Sequence, residues 1–219
     1  MRRQELVIYE NLEGASAEIP SPALASSPPP PPRSSSTNPN NNHSSNSRND
    51  SESDINDQRS RYYVEKILKL RDFDEAFELV KMAVEKRFKM HRAGLALALQ
   101  GLPGSLGAYH VLGSNMIILN KRILNLIKSI KTTEQYNSFL FTVLAHEYLH
   151  SFGIADEFRV RNMTHEVCRS LLGEDHPATI MARYEPWSVF PELGLLQNSF
   201  DNKFELIKEF DRKGQSYIS

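Results

Sequence analysis

The segment from Thr133 to Gly153 constrains the fold more than any other, because it predicts one long helix with polar chemistry on one side. The letters TTEQ offer a threonine cap with an acid in the first turn, and Gly153 suits the C-terminal end. His146 and His150 lie opposite an apolar face, so we predict a helix that is buried on one side and presents both imidazoles on the other. The apolar face comprises Leu140, Phe141, Leu144, Ala145, Tyr148 and Phe152.

The letters HEYLH within this helix predict a metal site. His146 and His150 are four residues apart, so their rings stack one turn above the other and both can reach one ion at about 2.0–2.1 Å. Glu147 projects toward the edge of the same face, where it can act as the general base for a water that the metal activates. The alternative is a helix with two solvated histidines, since so short a pattern also arises by chance.

A catalytic zinc needs a third protein ligand, and Gly153 lets the chain turn back toward the histidines. We rank Asp156 first, because it lies one turn before Val160 on the apolar stripe of the next predicted helix and needs compensation for its charge. Glu157 ranks second and His165 third. The alternative is that both acids only stabilise the N-terminus of that helix.

At these residues the chain resembles the zincin metallopeptidases, and HExxHxxGxxD is similar to the metzincin arrangement with aspartate as third ligand, as in snapalysin-like peptidases. The acid-bearing helix that follows also resembles a minimal gluzincin. The resemblance implies one Zn²⁺ held by His146, His150 and Asp156, with Glu147 as catalytic base. It further implies an α+β, zincin-like fold, in which a small, mostly antiparallel sheet packs on the active-site helix beside additional helices.

The same resemblance implies roles for residues outside the helix. ATIMARY is similar to a metzincin Met-turn, with Met181 as an apolar floor beneath the metal and Tyr184 as an oxyanion stabiliser. It also implies that an edge strand binds the substrate backbone by strand addition, and residues 115–120, NMIILN, are our candidate for that strand.

The chain divides into a tail, residues 1–60, and a zincin-like domain, residues 61–219. The tail is rich in proline, serine and asparagine, and it buries too little apolar surface to offset about 1–2 kcal/mol of backbone entropy per residue, so we predict disorder. Pro28 to Pro32 favour a polyproline II tether, which also suits docking of a partner.

Hydrophobic periodicity gives the other elements of the domain. It predicts an amphipathic helix over Phe73 to Phe88, three short strands between residues 93 and 120, and a helix in KRILNLIKSIK. Phe204, Ile207 and Phe210 recur at helical spacing in the tail DNKFELIKEFDRKG, which predicts a closing helix.

Net charge and cysteine content exclude several classes of protein. The formal net charge is −1, which favours neither nucleic acid nor an anionic membrane, and no apolar run is long enough to span a bilayer. Cys168 is the single cysteine, which favours a reducing compartment, and the N-terminus lacks a signal-peptide core, so we expect a cytoplasmic protein.

The predicted function is therefore a zinc peptidase acting on a protein or peptide substrate. Two alternatives stay open at the level of sequence. One is a catalytically silent binding or regulatory protein that retains a zinc-stabilised zincin fold. The other is a metal hydrolase of a non-peptide amide.

Overall fold

The computed structural model describes residues 58, 60–196, 199–201, 203–208 and 210–211. The predicted disordered tail and its polyproline segment lie almost wholly outside these residues. Within the described part, helices and a small sheet combine in one mixed α and β fold. No helix in this part is long and apolar enough to cross a bilayer.

The N-terminal half of the fold carries two helices, three strands and then a further helix. A helix at residues 60–68 is α1. The elements that follow are α2 (Phe73–Phe88), β1 (Ala96–Gln100), β2 (Ala108–His110), β3 (Met116–Asn120) and α3 (Lys121–Ile130). These elements confirm the predicted helix over Phe73 to Phe88, the three strands between residues 93 and 120, and the helix of KRILNLIKSIK.

The C-terminal half carries the site-bearing helices. Its elements are α4 (Thr133–His150), α5 (Glu157–Leu172), α6 (Pro177–Tyr184), α7 (Pro186–Val189), a 3₁₀ helix (Pro191–Leu195) and β4 (Phe204–Leu206). α4 begins as predicted: Thr132 caps it, its hydroxyl accepts from the Gln135 amide, and the Gln135 side chain accepts in return from the Thr132 amide.

The four strands form a mixed sheet in the order β2, β3, β1, β4. β1 and β3 are parallel, whereas β2 pairs with β3 and β4 pairs with β1 in antiparallel fashion. The prediction that residues 115–120 form an edge strand is therefore wrong, because β3 has a neighbour on each side. Its residues Ile117 to Asn120 are all buried, and a continuous apolar run such as Ile117 to Leu119 is typical of a central strand. β2 is the edge at that side of the sheet.

The predicted closing helix is also wrong, because Phe204–Leu206 form β4. The amide of Ile207 donates to the Leu97 carbonyl at 2.9 Å, which extends the pairing with β1. Phe210 then packs on Phe77 with 4.5 Å between ring centroids. The open edge of β1 offers backbone partners to this segment, and tertiary pairing here overrides a weak helical pattern.

α4 runs through the middle of the fold and is buried around its whole circumference from Asn137 to His150. It packs against α2 on one side, against α5 and α6 on another, and against β2 of the sheet. The predicted apolar face is buried from Leu140 to Tyr148, with Phe152 partly buried, but the face of His146 and His150 is also covered. The reason is that α5 and α6 fold back over it, which the periodicity of α4 alone does not show.

The hydroxyl of Tyr148 anchors α4 to the segment before β1. It accepts a hydrogen bond from the Arg92 amide at 2.7 Å and donates one to the Arg92 carbonyl at 3.0 Å. The ring itself is fully buried and packs edge-on against Phe77, with 5.2 Å between centroids. Tyr148 thus ties the central helix both to the core and to a backbone segment distant in sequence.

Candidate metal centre

His146 and His150 meet on one side of α4, as the spacing predicts. Their Nε2 atoms lie 3.0 Å apart, and both rings are buried. The Nδ1 atom of His150 donates to the Ile154 carbonyl at 2.7 Å, so Nδ1 carries a hydrogen and Nε2 is the nitrogen that faces His146 and Glu157. Gly153, at φ +84°, makes the turn that brings Ile154 back to this ring.

Glu157, the first residue of α5, brings its carboxylate to both imidazoles. Its Oε1 lies 3.1 Å from Nε2 of His146, and its Oε2 lies 3.2 Å from Nε2 of His150. Within the described ranges, these three residues form the group of His, Cys, Asp and Glu side chains that converge closely enough to hold one ion.

Asp156 does not point toward the histidines. It is the N-cap of α5: its Oδ1 accepts from the Arg159 amide at 3.0 Å, and the residue is exposed. The helix starts only after Asp156, so this residue is not in the helical phase on which the prediction relied, and its short side chain bonds to the helix terminus instead. In the structure, Glu157 and not Asp156 is therefore the acid whose carboxylate contacts the two imidazoles.

His165, the third-ranked candidate, lies two turns further along α5 than Glu157. It lines a separate depression together with Arg169 and Arg183. The structure therefore keeps it away from the His146–His150 pair.

The spacing of the converging atoms fits a tetrahedral zinc centre. With bonds of about 2.0–2.1 Å, ligand atoms in a tetrahedral site lie about 3.3 Å apart. The distances of 3.0, 3.1 and 3.2 Å among the two Nε2 atoms and the Glu157 oxygens are close to that value. Two imidazoles and one carboxylate are also a donor set that catalytic zinc uses. The residues present therefore fit the metal.

Glu147 lies beside the cluster and is fully buried. Its Oε2 atom has no hydrogen-bond partner among the described residues. Burial raises the pKa of Glu147 to about 8; the neighbouring His150 opposes this shift and the Glu157 carboxylate adds to it. A buried carboxyl oxygen without a partner is costly unless a bound group or water satisfies it.

The two histidines differ in their electrostatic surroundings. Burial lowers the pKa of His146 to about 4, even though the Glu157 carboxylate favours the protonated ring. Burial also opposes protonation of His150, but the Glu157 and Glu147 carboxylates and the Ile154 carbonyl outweigh it and raise the pKa of His150. Burial would raise the pKa of Glu157, but hydrogen bonds from both imidazoles hold it well below its usual range.

Arg161 and Glu185 stand beside the centre, although the sequence predicted no role for either residue. One turn after Glu157 on α5, Arg161 places its Nη2 3.8 Å from the Glu157 carboxylate and its Nη1 2.5 Å from that of Glu185. Glu185 is the residue between α6 and α7, and its backbone φ is +69°. The i, i+4 spacing of Glu157 and Arg161 is visible in the sequence, but the contact with Glu185 depends on how α6 packs.

Met181 and Tyr184 belong to a helix rather than a turn. His176 caps α6 and Pro177 occupies its first position, so residues 177–184 continue as a helix. Met181 is buried and shares a cavity of about 10 Å³ with His146 and Arg161, so it lies on the metal side of α6. Tyr184 is 57% exposed. The Met-turn geometry that the resemblance implies is absent at these residues.

His110 is buried on the edge strand β2. Its Nδ1 donates to the Met116 carbonyl at 3.0 Å, whereas its buried Nε2 has no hydrogen-bond partner among the described residues. Burial lowers its pKa; the Met116 carbonyl opposes this shift, whereas the charges of Arg92 and His150 add to it. His110 is thus close enough to the centre to sense the charge of His150.

Comparison with protein-family models, curated proteins and solved structures found no match to this chain. The assignment of the site therefore depends on the geometry above.

Proposed function

We propose that this protein is a zinc-dependent peptidase with a zincin-like fold, in which His146, His150 and Glu157 hold one Zn²⁺. The observation that carries the proposal is the convergence of two Nε2 atoms and one carboxylate within 3.0–3.2 Å of each other. The unpartnered, buried Oε2 of Glu147 beside them supports a reaction rather than a purely structural centre.

Each residue has a defined task in this proposal. A bound Zn²⁺ would polarise the scissile carbonyl and lower the pKa of a water toward about 7. Glu147 accepts the proton of that water as its oxygen attacks the carbonyl carbon, and it passes the proton to the amide nitrogen as the C–N bond breaks. The Ile154 carbonyl keeps the hydrogen of His150 on Nδ1, which leaves Nε2 as donor to the metal.

The substrate class of the proposal is a protein or peptide. β2 is the free edge nearest α4, so it replaces β3 as the candidate for strand addition to an extended substrate. Cys168 is buried and unpaired, which supports a reducing compartment such as the cytoplasm.

One observation favours a second function, a zinc-stabilised binding protein without turnover. His146, Glu147 and His150 are each at most 1% exposed, and the Glu157 side chain, 30% exposed, covers the imidazoles. A closed centre of this kind is typical of structural zinc sites. Peptide hydrolysis then requires that the segment around Glu185, which lies beside His146, move aside.

The variant Glu147→Gln separates the two functions. For a peptidase, it keeps stoichiometric zinc by elemental analysis but lowers the hydrolysis of a peptide library by at least about 100-fold, because the proton acceptor is lost. Glu134→Gln, at the other end of the same helix, is the matched control and keeps wild-type activity. Zinc-loaded wild-type protein that hydrolyses no peptide supports the binding protein. Chelator-sensitive hydrolysis confined to non-peptide amides supports the remaining alternative, a metal hydrolase of a non-peptide amide.

A further inference from the structure

A second depression lies between α5 and α6, next to the metal centre. Its volume is about 410 Å³. We call it the arginine pocket; its polar lining consists of Arg161, Asn162, His165, Arg169, Glu174 and Arg183. It takes no part in the mechanism proposed above, and its lining is strongly charged.

Positive charge exceeds negative charge among the side chains that line this pocket, although Arg161 also pairs with Glu157 and Glu185, which lie outside the lining. Three guanidinium groups face it, against the carboxylate of Glu174, which lies 3.5 Å from Arg169. Among the described acidic side chains, none lies within ion-pair distance of Arg183, whose guanidinium instead stacks on the Tyr184 ring at 5.3 Å. Burial lowers the pKa of His165. The Glu174 carboxylate opposes this shift, whereas the charges of Arg183 and Arg169 add to it. The pocket is therefore suited to an anion.

Arg161 lies between the arginine pocket and the candidate metal centre. It lines both the pocket and the small cavity beside His146. Its Nη1 and Nη2 face Glu185 and Glu157, but its buried Nε has no hydrogen-bond partner in the described part of the chain. A buried N–H donor without an acceptor is costly, and an acceptor atom in the pocket would satisfy it.

We propose that the arginine pocket binds a carboxylate of the peptide substrate, either an Asp or Glu side chain or the C-terminal carboxylate. This proposal rests on the peptidase function and names its substrate class, acidic peptides. A planar guanidinium matches a carboxylate through paired hydrogen bonds. Because Arg161 lies 3.8 Å from the Glu157 carboxylate, the bound group belongs to a residue close to the scissile bond.

The test measures peptide binding to the full-length Glu147→Gln variant, which does not consume the peptide. Fluorescently labelled peptides are used in matched pairs, with Glu against Gln beside the scissile position and with a free against an amidated C-terminus. We expect the carboxylate member of one pair to bind about tenfold more tightly, the size of one charge-assisted hydrogen bond. The pair that shows the preference identifies which carboxylate is bound.

Three further measurements locate the carboxylate. The preference is expected to fall below about twofold in the variant that combines Arg169→Gln with Arg183→Gln, because the charge-assisted bonds are lost. It is expected to persist in Arg159→Gln, which removes an exposed arginine of α5 outside the pocket. It is also expected to persist after chelator treatment, because a carboxylate held by arginines does not need the metal.

Several results would overturn the proposal. One is equal binding of the carboxylate and amide members in both peptide pairs, and another is no measurable binding of any acidic peptide. A third is a preference for the carboxylate that chelator abolishes and that the arginine substitutions leave intact. The last result places the carboxylate on the metal. Failure of the peptidase function is a different outcome: wild-type protein then hydrolyses no peptide, while the chelator-resistant preference for carboxylates still identifies an acidic-peptide site.

Discussion

The Glu157 carboxylate lies 3.1 Å from Nε2 of His146, although the two residues belong to different helices. The contact exists because the Gly153 turn folds α5 back across α4. The candidate centre is therefore shared between two helices, and each of them contributes to its geometry.

Glu157→Gln is expected to lower the affinity for zinc by at least about 100-fold, because a neutral amide replaces the carboxylate that touches both imidazoles. The measurement is a competition titration against a chromophoric chelator. Asp156→Asn is the matched control: asparagine is an equally good N-cap, so both helix and affinity should be unchanged. Loss of zinc from Asp156→Asn alone would contradict this ligand set.

Gly153→Ala is expected to destabilise the protein by about 1 kcal/mol, because alanine is strained at φ +84°. A Cβ at this position meets nothing within 4 Å, so the effect comes from the backbone alone. Gly194→Ala is the matched control, since its Cβ also meets nothing and its φ is not positive. Chemical denaturation of both variants measures the difference, and equal free energies of unfolding would argue against the strained turn.

Asp211→Asn is expected to lower the free energy of unfolding by about 3 kcal/mol, because it removes a buried charge that pairs with Lys81. The Asp211 carboxylate also accepts from the Leu95 amide at 2.9 Å, so it joins the chain after β4 to α2 and to the segment before β1. Glu65→Gln breaks the exposed pair with Lys69 and serves as control, with little or no change expected. A small effect of Asp211→Asn in urea denaturation would show that the buried pair is dispensable.

His176 is expected to make the stability of the protein depend on pH. Burial lowers its pKa to about 4, so between pH 6.5 and about 4 the unfolded chain binds a proton that the folded chain does not. Stability therefore falls as the pH falls through this window, by about 1–2 kcal/mol from this residue. His176→Asn keeps an N-cap for α6 but cannot titrate, so it should lose that part of the dependence.

The measurement for His176 is a set of urea denaturation curves at pH 7.5 and pH 4.5, with chelator present so that metal binding does not contribute. The other buried histidines are the same in both proteins, so the difference between wild type and variant isolates His176. Parallel pH profiles for wild type and His176→Asn would contradict the prediction.

Local signals in the sequence were sufficient for the elements that carry the histidines. The Thr132 cap, the spacing of His146 and His150 and the break at Gly153 are properties of neighbouring residues, and the structure has all three. The choice between Asp156 and Glu157 was different, since it depended on the residue at which α5 begins. Helix boundaries are the least certain part of such predictions, and a shift of one residue turns a side chain by about 100°.

Features that depend on packing between distant segments could not be predicted from the sequence. β4 forms because the free edge of β1 is available to it, and Arg161 meets Glu185 only because α6 folds against α5. Likewise, the burial of the His146 face of α4 follows from its neighbours and not from its own periodicity. Each of these contacts joins residues whose proximity leaves no periodic pattern in the chain.

The paired hydrogen bonds between Tyr148 and the Arg92 backbone have a mechanical consequence. His146 and His150 are each two positions from Tyr148, so they project from about the opposite side of the same cylinder. A rotation of α4 about its axis would break both hydrogen bonds before it swung the imidazoles out of alignment. These hydrogen bonds therefore fix the direction in which His146 and His150 project, and the proposed centre would need little reorganisation to bind a cation.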